Sequence, residues 1–432
     1  MYETTSIEDL HKPTVALVNK RFYMDSRSAA SQRHMPGARI VPTSIPAEAN
    51  VPKQIEDGID ESIGEIIAAL TEPLTPEEES PKSKEVENTS RFIFKGNLHE
   101  VNQFFYKRGW TDGLPIIPPT EEAVAEMLTG TDLPADHLVT KLIVRMGKAT
   151  VEKIAINAVM AGALPTYMPV LIAGVQALAD KSSGFIGFGF SAGSWAPFYV
   201  INGPIRNDIN VNCGSGALSP GNIANAAIGR AMGLIVKNIG GARKGIEDMG
   251  TLGNPGKYSM VLGENEEESP WEPLHVSLGY KKEENTITVN APNSWVQNLP
   301  YRSNDEGILS CLVNNLQTMV TGQGRGTFTI VLTPDAARLV ANGGWTKQAA
   351  LDILAKVTWP VGPLPLMNVN NQMYSYFIGN IHLLIIVAGG AQNQIGVYRS
   401  AFGHNTMKIN LPANWDKLVA KYKNIVPTYI KY

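Results

Sequence analysis

Residues 72–90 read EPLTPEEESPKSKEVENTS, a run of acid clusters and prolines with almost no apolar side chain after Leu74. Such a stretch buries too little surface to fold by itself and predicts a linker. Its position divides the chain into a small module, 1–73, the acidic Pro-rich linker, 74–90, and one large domain, 91–432, long enough to hold two subdomains.

On the N-terminal side, Thr14 to Val18 is a β-branched run, and Ala38 to Ile45 is another that stops at Pro46. Both predict strands. Between them Ser26 to His34 has helical composition and closes at Pro36-Gly37, while Pro52 to Leu70 sets Ile55, Ile59, Ile63, Ile66, Ile67 and Leu70 at helical spacing. The module therefore reads β-α-β-α. Two strands with covering helices form an incomplete sheet that should dock on another structure.

Beyond the linker, Leu98 to Arg108 and Glu121 to Leu128 predict helices on either side of the irregular GWTDGLPIIPPT, residues 109–120. Thr150 to Ala163 and Tyr167 to Asp180 are apolar nearly all round, which places both helices inside the protein, with Pro165 and Pro169 at the corner. Ser219-Pro220 reads as the N-cap and first-turn proline of a helix ending at Gly240-Gly241, whose Gly229 and Gly233 allow close backbone contact. Thr286 to Val289 and Phe328 to Leu332 predict strands. Thr333-Pro334-Asp335 starts the helix Ala336 to Ala341, and Gln348 to Lys356 is helical. Ile381 to Val387 is a continuous apolar strand of the kind buried on both faces. The fold class is α/β or α+β, a small incomplete module plus one large mixed domain, without an exact internal repeat.

Composition narrows the partners. A net charge of -3 gives no basic field for a polyphosphate backbone, which argues against nucleic acid. The apolar runs Pro165 to Ala179 and Ile381 to Gly389 fall short of the roughly 20 residues of a membrane span, so no membrane is expected. Two cysteines, Cys213 and Cys311, fit a reducing compartment, although a single bridge between them stays open. The polar start MYETTSIEDLHKP lacks the apolar core of a secretion signal, and the expected location is the cytoplasm.

The sharpest chemical feature is NVNCGSGALSPGNIANAAIGR, residues 210–230, a glycine-rich turn leading to a helix N-terminus. Asn212, Gly214 and Ser215 flank Cys213 there. Free N–H groups and the positive helix end can lower the pKa of Cys213 and bind a substrate anion. The alternative is a small buried cysteine in a tight loop. The glycine spacing matches no nucleotide loop. Gly322 to Gly326 precedes a strand and reads as a turn, whereas Gly389 and Gly390 follow the buried strand at the edge where α/β sheets place ligands. Arg230, mid-helix, and Lys257, beside a glycine turn, are candidates to hold substrate charge. ENEEESPWEPLH, residues 264–275, offers Glu264, Glu266, Glu267 and His275 for proton transfer or a divalent metal, though it has no metal-ligand spacing and can equally be a solvated loop. No cofactor can be named.

The module KPTVALVNKRFYMDSRSAASQRHMPGARIVPTSIPAEANVPKQIEDGIDESIGEIIAALTEP resembles, over residues 7–73, the segment that follows the redox motif in the UGSC-motif (seleno)protein family. More distantly it is similar to selenoprotein B of glycine reductase. The resemblance implies a redox cysteine or selenocysteine just upstream, yet residues 1–73 contain no cysteine. A separate Cys/Sec-motif chain is then expected to supply it and complete the sheet. The large domain, with GWTDGLPIIPPTEEAV, VINGP, IGRAMGLIVKNIGGARKG and HLLIIVAGG, is similar to uncharacterised proteins accompanying such modules.

Three functions follow as expectations. The first is an oligomeric enzyme acting by thiol or selenol redox or bond-cleaving chemistry on a small polar or anionic substrate, with Cys213 as thiol, Arg230 and Lys257 on the substrate and Glu264 or His275 moving protons. The second is a metal-dependent lyase or hydrolase built on the glutamates and His275. The third is a non-catalytic subunit that positions a partner enzyme.

Overall fold

The computed structural model describes residues 4, 7–8, 10–32, 35–45, 51–79, 93–189, 191–319, 326–356 and 381–423. Most of the expected linker, His34 and the turn 322–325 lie outside them. The fold is mixed α/β, and the chain divides into two compact units, one comprising 1–95 with 144–146 and the other 96–143 with 147–432.

In the smaller unit, strand β1 (Ala16–Asn19) pairs parallel with β2 (Ile40–Thr43), joined through the helix Tyr23–Gln32 and followed by the helix Pro52–Thr71. That last helix buries Gly58 and Ser62, because a Cβ at Gly58 would stand 2.3 Å from Ile45 Cγ1. Of the residues at helical spacing, Ile59 and Ile66 are half-buried, while Ile55, Ile63, Ile67 and Leu70 are exposed. Arg39 closes the helix by donating to the carbonyls of Ala69, Glu72 and Pro73.

The larger unit opens with the helices Leu98–Lys107 and Glu121–Leu128 and a hairpin of β3 (Leu138–Leu142) with β4 (Gly147–Thr150). Eight further strands are β5 (Phe198–Asn202), β6 (Val261–Gly263), β7 (Thr286–Asn290), β8 (Ser294–Asn298), β9 (Gly326–Leu332), β10 (Ile381–Val387), β11 (Ile395–Arg399) and β12 (Asn405–Lys408). They form two four-stranded sheets, β6-β5-β7-β12 and β10-β9-β11-β8. Each sheet has the same logic. A parallel pair, β5 with β6 or β9 with β10, is joined through helices, and an antiparallel strand then lies on the other side of its first member. The outermost strands are exchanged, since β8 follows β7 in sequence but pairs with β11, and β12 follows β11 but pairs with β7.

Period-two alternation makes four layers. Tyr199, Ile201, Val261, Ile287 and Val289 face a core built with the helices Val151–Met160, Met168–Ala179 and Ile223–Asn238. Phe328, Ile330, Leu332, Ile385 and Val387 face the helices Asp305–Met319, Pro334–Asn342 and Lys347–Ala355. Between the sheets Phe198, Val200 and Leu262 meet Leu384, Ile386, Ala388 and Tyr398. Each of these fully buried aliphatic side chains contributes roughly 1.5–3 kcal/mol relative to exposure.

The two apolar helices are buried as expected: on Met168–Ala179 every residue but Gln176 and Ala179 is buried. Gly229 and Gly233 do allow a close approach, a Cβ at Gly229 standing 2.1 Å from Ser259 Oγ and one at Gly233 2.7 Å from Lys257 O. The helix bearing them begins at Ile223 with Asn222 as N-cap, its side chain accepting from Asn225 N. This corrects the expected start at Ser219-Pro220, which stays in the preceding loop. Among the described residues no helix is long and apolar enough to cross a membrane.

Candidate functional site

The carboxyl ends of the parallel strands of both sheets meet at one place. Asn265 N, just past β6, donates 2.7 Å to Val387 O at the end of β10, and Gly389 N donates 2.9 Å to Cys213 O. In open α/β sheets this is the edge that carries ligands. Gly389 takes φ 103°, where a side chain is strained, and a Cβ at Gly390 would lie 2.8 Å from Ser215 Cβ. Both glycines are thus needed for the Cys213 loop to seat against β10.

The loop is held by asparagines. Asn225, buried in the first turn of its helix, accepts from Asn212 N at 2.8 Å, and its amide NH2 lies 3.0–3.1 Å from the carbonyls of Asn212, Ala217 and Val261. Asn222 donates to Asn210 O, and Asn210 adopts φ 54°. Asn212 spends its side chain inside the loop, accepting from Gly214 N and donating to Ser215 O.

Behind the loop sits Arg206, 2 % exposed. Its Nε is 3.0 Å from Glu266 Oε1 and donates to Gly203 O, its Nη1 donates 2.5 Å to Glu264 O, and its Nη2 donates 3.0 Å to Glu267. Glu266 also accepts from Gly203 N at 2.7 Å. A Cβ at Gly263 would stand 3.3 Å from Cys213 Cβ and 3.4 Å from Arg206 Cδ, which puts both side chains against one point of the chain. No local pattern singles out Arg206. It is one arginine in GPIRND, and its acidic partners lie 60 and 61 positions ahead.

Cys213 is half-buried and free, and Cys311 is buried in the helix Asp305–Met319, also free. Burial raises the Cys213 thiol above its ordinary value, opposed by the Arg206 guanidinium and reinforced by Glu267. The expectation of a depressed thiol pKa is thereby corrected: loss of hydration on burial outweighs the favourable charge of Arg206.

Glu264 has no solvent exposure, whereas Glu267, Glu268 and Glu272 are exposed, so the segment 264–275 is a solvated loop in its middle and buried at both ends. Glu264 accepts 2.6 Å from Asn202 Nδ2 and 2.7 Å from Leu274 N, and burial raises its pKa despite the nearby Lys347 ammonium and these donors. Lys347, equally enclosed, donates to Glu272 O and Ser277 Oγ, and burial lowers its pKa. His275 is fully buried, with Nε2 3.3 Å from Lys282 O and Nδ1 4.0 Å from Glu266 Oε1.

Arg230 and Lys257 are not brought here. Arg230 pairs with Asp112 through Nε at 2.7 Å and Nη2 at 3.0 Å, eight residues or roughly 12 Å along the helix from Asn222. Lys257 is held by Asp248 at 2.6 Å. Their charges are already compensated, which corrects the expectation that they face substrate. Among the described residues no group of three or more His, Cys, Asp or Glu side chains is placed to hold a metal ion.

Two cavities stand out among the described residues. One of about 180 Å³ opens between Gly216–Ser219 and the segment 388–398, with Gly389 on its wall. The other, about 260 Å³, lies among Asp132, His137, Gln176 and Lys408 and touches no expected site residue. Its charges are engaged, Lys408 with Glu284 and Asp132 with Ala413 N.

No family model, no characterised protein and no solved structure matches this chain.

Proposed function

We propose that this chain is the thiol-bearing component of an enzyme that acts on a small polar molecule by redox or bond-cleaving chemistry. Cys213 is the thiol, Arg206 stabilises its thiolate when the proton leaves, and Glu264 is the acid that returns a proton. The carrying observation is a half-buried cysteine packed with a buried arginine at the carboxyl ends of parallel strands from two sheets. Arg206 thus takes the role first expected of Arg230 and Lys257, acting on the thiol instead of the substrate.

A carboxyl whose pKa is raised by burial keeps its proton nearer neutrality than an exposed one, which suits a general acid. His275, 4.0 Å from Glu266, is the second candidate for proton movement. The resemblance of residues 7–73 to UGSC-motif proteins supports a Cys/Sec-motif partner chain, and the open two-stranded sheet supports a docking role for the small unit. Two free cysteines favour a reducing, cytoplasmic setting.

One observation favours a second reading, a non-catalytic subunit: the Arg206 charge is already met by Glu266 and Glu267, so the cluster can serve as a structural clasp. Turnover separates the two. The native complex, incubated with the small-molecule extract of its source, should deplete a compound that mass spectrometry can follow. Cys213→Ser should stop that depletion while circular dichroism stays unchanged. Full depletion by Cys213→Ser removes the thiol from the mechanism.

A further inference from the structure

We infer that the cavity between Gly216–Ser219 and residues 388–398 binds a small uncharged molecule, and that this is the substrate class of the enzyme proposed above. The inference rests on that reading for the word substrate, and on the cavity alone for the ligand's chemistry. Among the described residues no Asp, Glu, Lys, Arg or His lines the cavity. Its polar groups are the side chains of Ser219, Gln297, Thr333, Gln394 and Tyr398, and the rest of its wall is aliphatic or glycine. A carboxylate or ammonium entering it would lose hydration with no opposite charge to meet it, a cost of several kcal/mol for an ion.

The polar groups define what is recognised. Thr333 is committed to its own loop, donating to Gln392 O and accepting from Gln394 N. Tyr398, 2 % exposed, accepts from Gln297 Nε2 at 3.0 Å, which leaves the phenol proton to donate to a ligand carbonyl. Burial raises the Tyr398 pKa, so it stays a donor across the neutral range. Gln297 stands at the mouth with an amide oxygen that can accept from a ligand N–H or O–H. A donor and an acceptor side by side above aliphatic walls suit a neutral amide or hydroxy-carbonyl compound.

Size sets an upper limit. Drug-sized ligands take about 300–1,000 Å³, and a cavity of about 150 Å³ accepts benzene. At about 180 Å³ this one takes on the order of six to ten non-hydrogen atoms. It also abuts the thiol loop: Gly216 and Ala217 belong to the loop of Cys213, and Gly389 N donates to Cys213 O. A ligand there fixes the loop that carries the thiol.

Benzamide and benzoate, equal in size and different in charge, test this on the full chain by titration calorimetry. Benzamide should bind at least tenfold more tightly than benzoate. Ala217→Leu, which fills the cavity, should abolish binding, and Tyr398→Phe, which keeps the ring, should weaken it several-fold. Equal or tighter benzoate binding, no binding of either probe, or benzamide binding indifferent to both substitutions overturns the inference. Alkylation of Cys213 by iodoacetamide gives the separate test of the thiol reading. Slower alkylation under saturating benzamide supports it. Benzamide binding that leaves the rate unchanged keeps the uncharged-ligand site and overturns its connection to Cys213.

Discussion

Replacing Arg206 with methionine removes the guanidinium that pairs with both Glu266 and Glu267. The two acids are not equivalent. The Glu266 side chain is 8 % exposed and the Glu267 side chain 56 %, so water can solvate the second when its partner is gone and cannot reach the first. Breaking a buried pair by removing one member costs about 3–5 kcal/mol, because the other charge is left uncompensated. The carbonyls of Gly203 and Glu264 lose their donors as well. Arg206→Met should therefore destabilise the protein by about 3–5 kcal/mol, and adding Glu266→Gln should return about 1–3 kcal/mol by removing the stranded charge. Urea unfolding followed by the fluorescence of the buried Trp195 and Trp415, checked against circular dichroism for a single transition, measures both values. A loss below about 1 kcal/mol, or a double variant no more stable than the single one, would refute the assignment of a buried, desolvated pair.

Other outcomes follow from the same site. Glu264 has its folded pKa raised above the ordinary 4.5, so above that value the unfolded chain gives up a proton that the native state keeps. Stability should then fall as pH rises from there toward the folded pKa, and Glu264→Gln should flatten this decline in unfolding curves recorded across the range. Cys213 should react slowly with iodoacetamide at neutral pH and faster as pH approaches its raised pKa, while Arg206→Lys, which loses the planar fork but keeps a charge, should shift that profile upward. Native-state peptide mapping should find Cys213 alkylated and Cys311, 1 % exposed, intact. Asn225→Ala should cost about 2–4 kcal/mol by orphaning Asn212 N and three carbonyls, and it should speed Cys213 labelling as the loop loosens.

The elements with strong periodicity were legible in the sequence, and so was the α/β class. Ile381–Val387 reads as a buried strand because both of its faces meet apolar layers, one with Ile385 and Val387 and the other with Leu384 and Ile386. Phe198–Asn202, one of the two inner strands of the first sheet, was hidden: five residues inside a glycine-rich aromatic stretch offer no alternation, since both of their faces are buried. The repeated sheet order was not visible either, because the exchange of β8 and β12 joins strands about 100 positions apart without any common motif. Cys213, Glu264 and Gly389 could be found from local pattern, a cysteine among glycines and a turn after a strand. Arg206 could not, because a lone arginine looks the same whether its carboxylates lie 60 residues away or nowhere. Arg230 and Lys257 misled for the converse reason. The acids that neutralise them, Asp112 and Asp248, sit 118 and 9 positions distant, and only folding joins them.

Native mass spectrometry of the complex purified from its source under non-reducing conditions, followed by mapping of Cys213, tests the thiol-bearing component most directly. The expected result is a second polypeptide with a Cys or Sec motif, together with a Cys213 that is free, or bonded to that motif, in the wild type and lost with turnover in Cys213→Ser. A homo-oligomer that retains full turnover as Cys213→Ser would contradict both the split enzyme and its thiol.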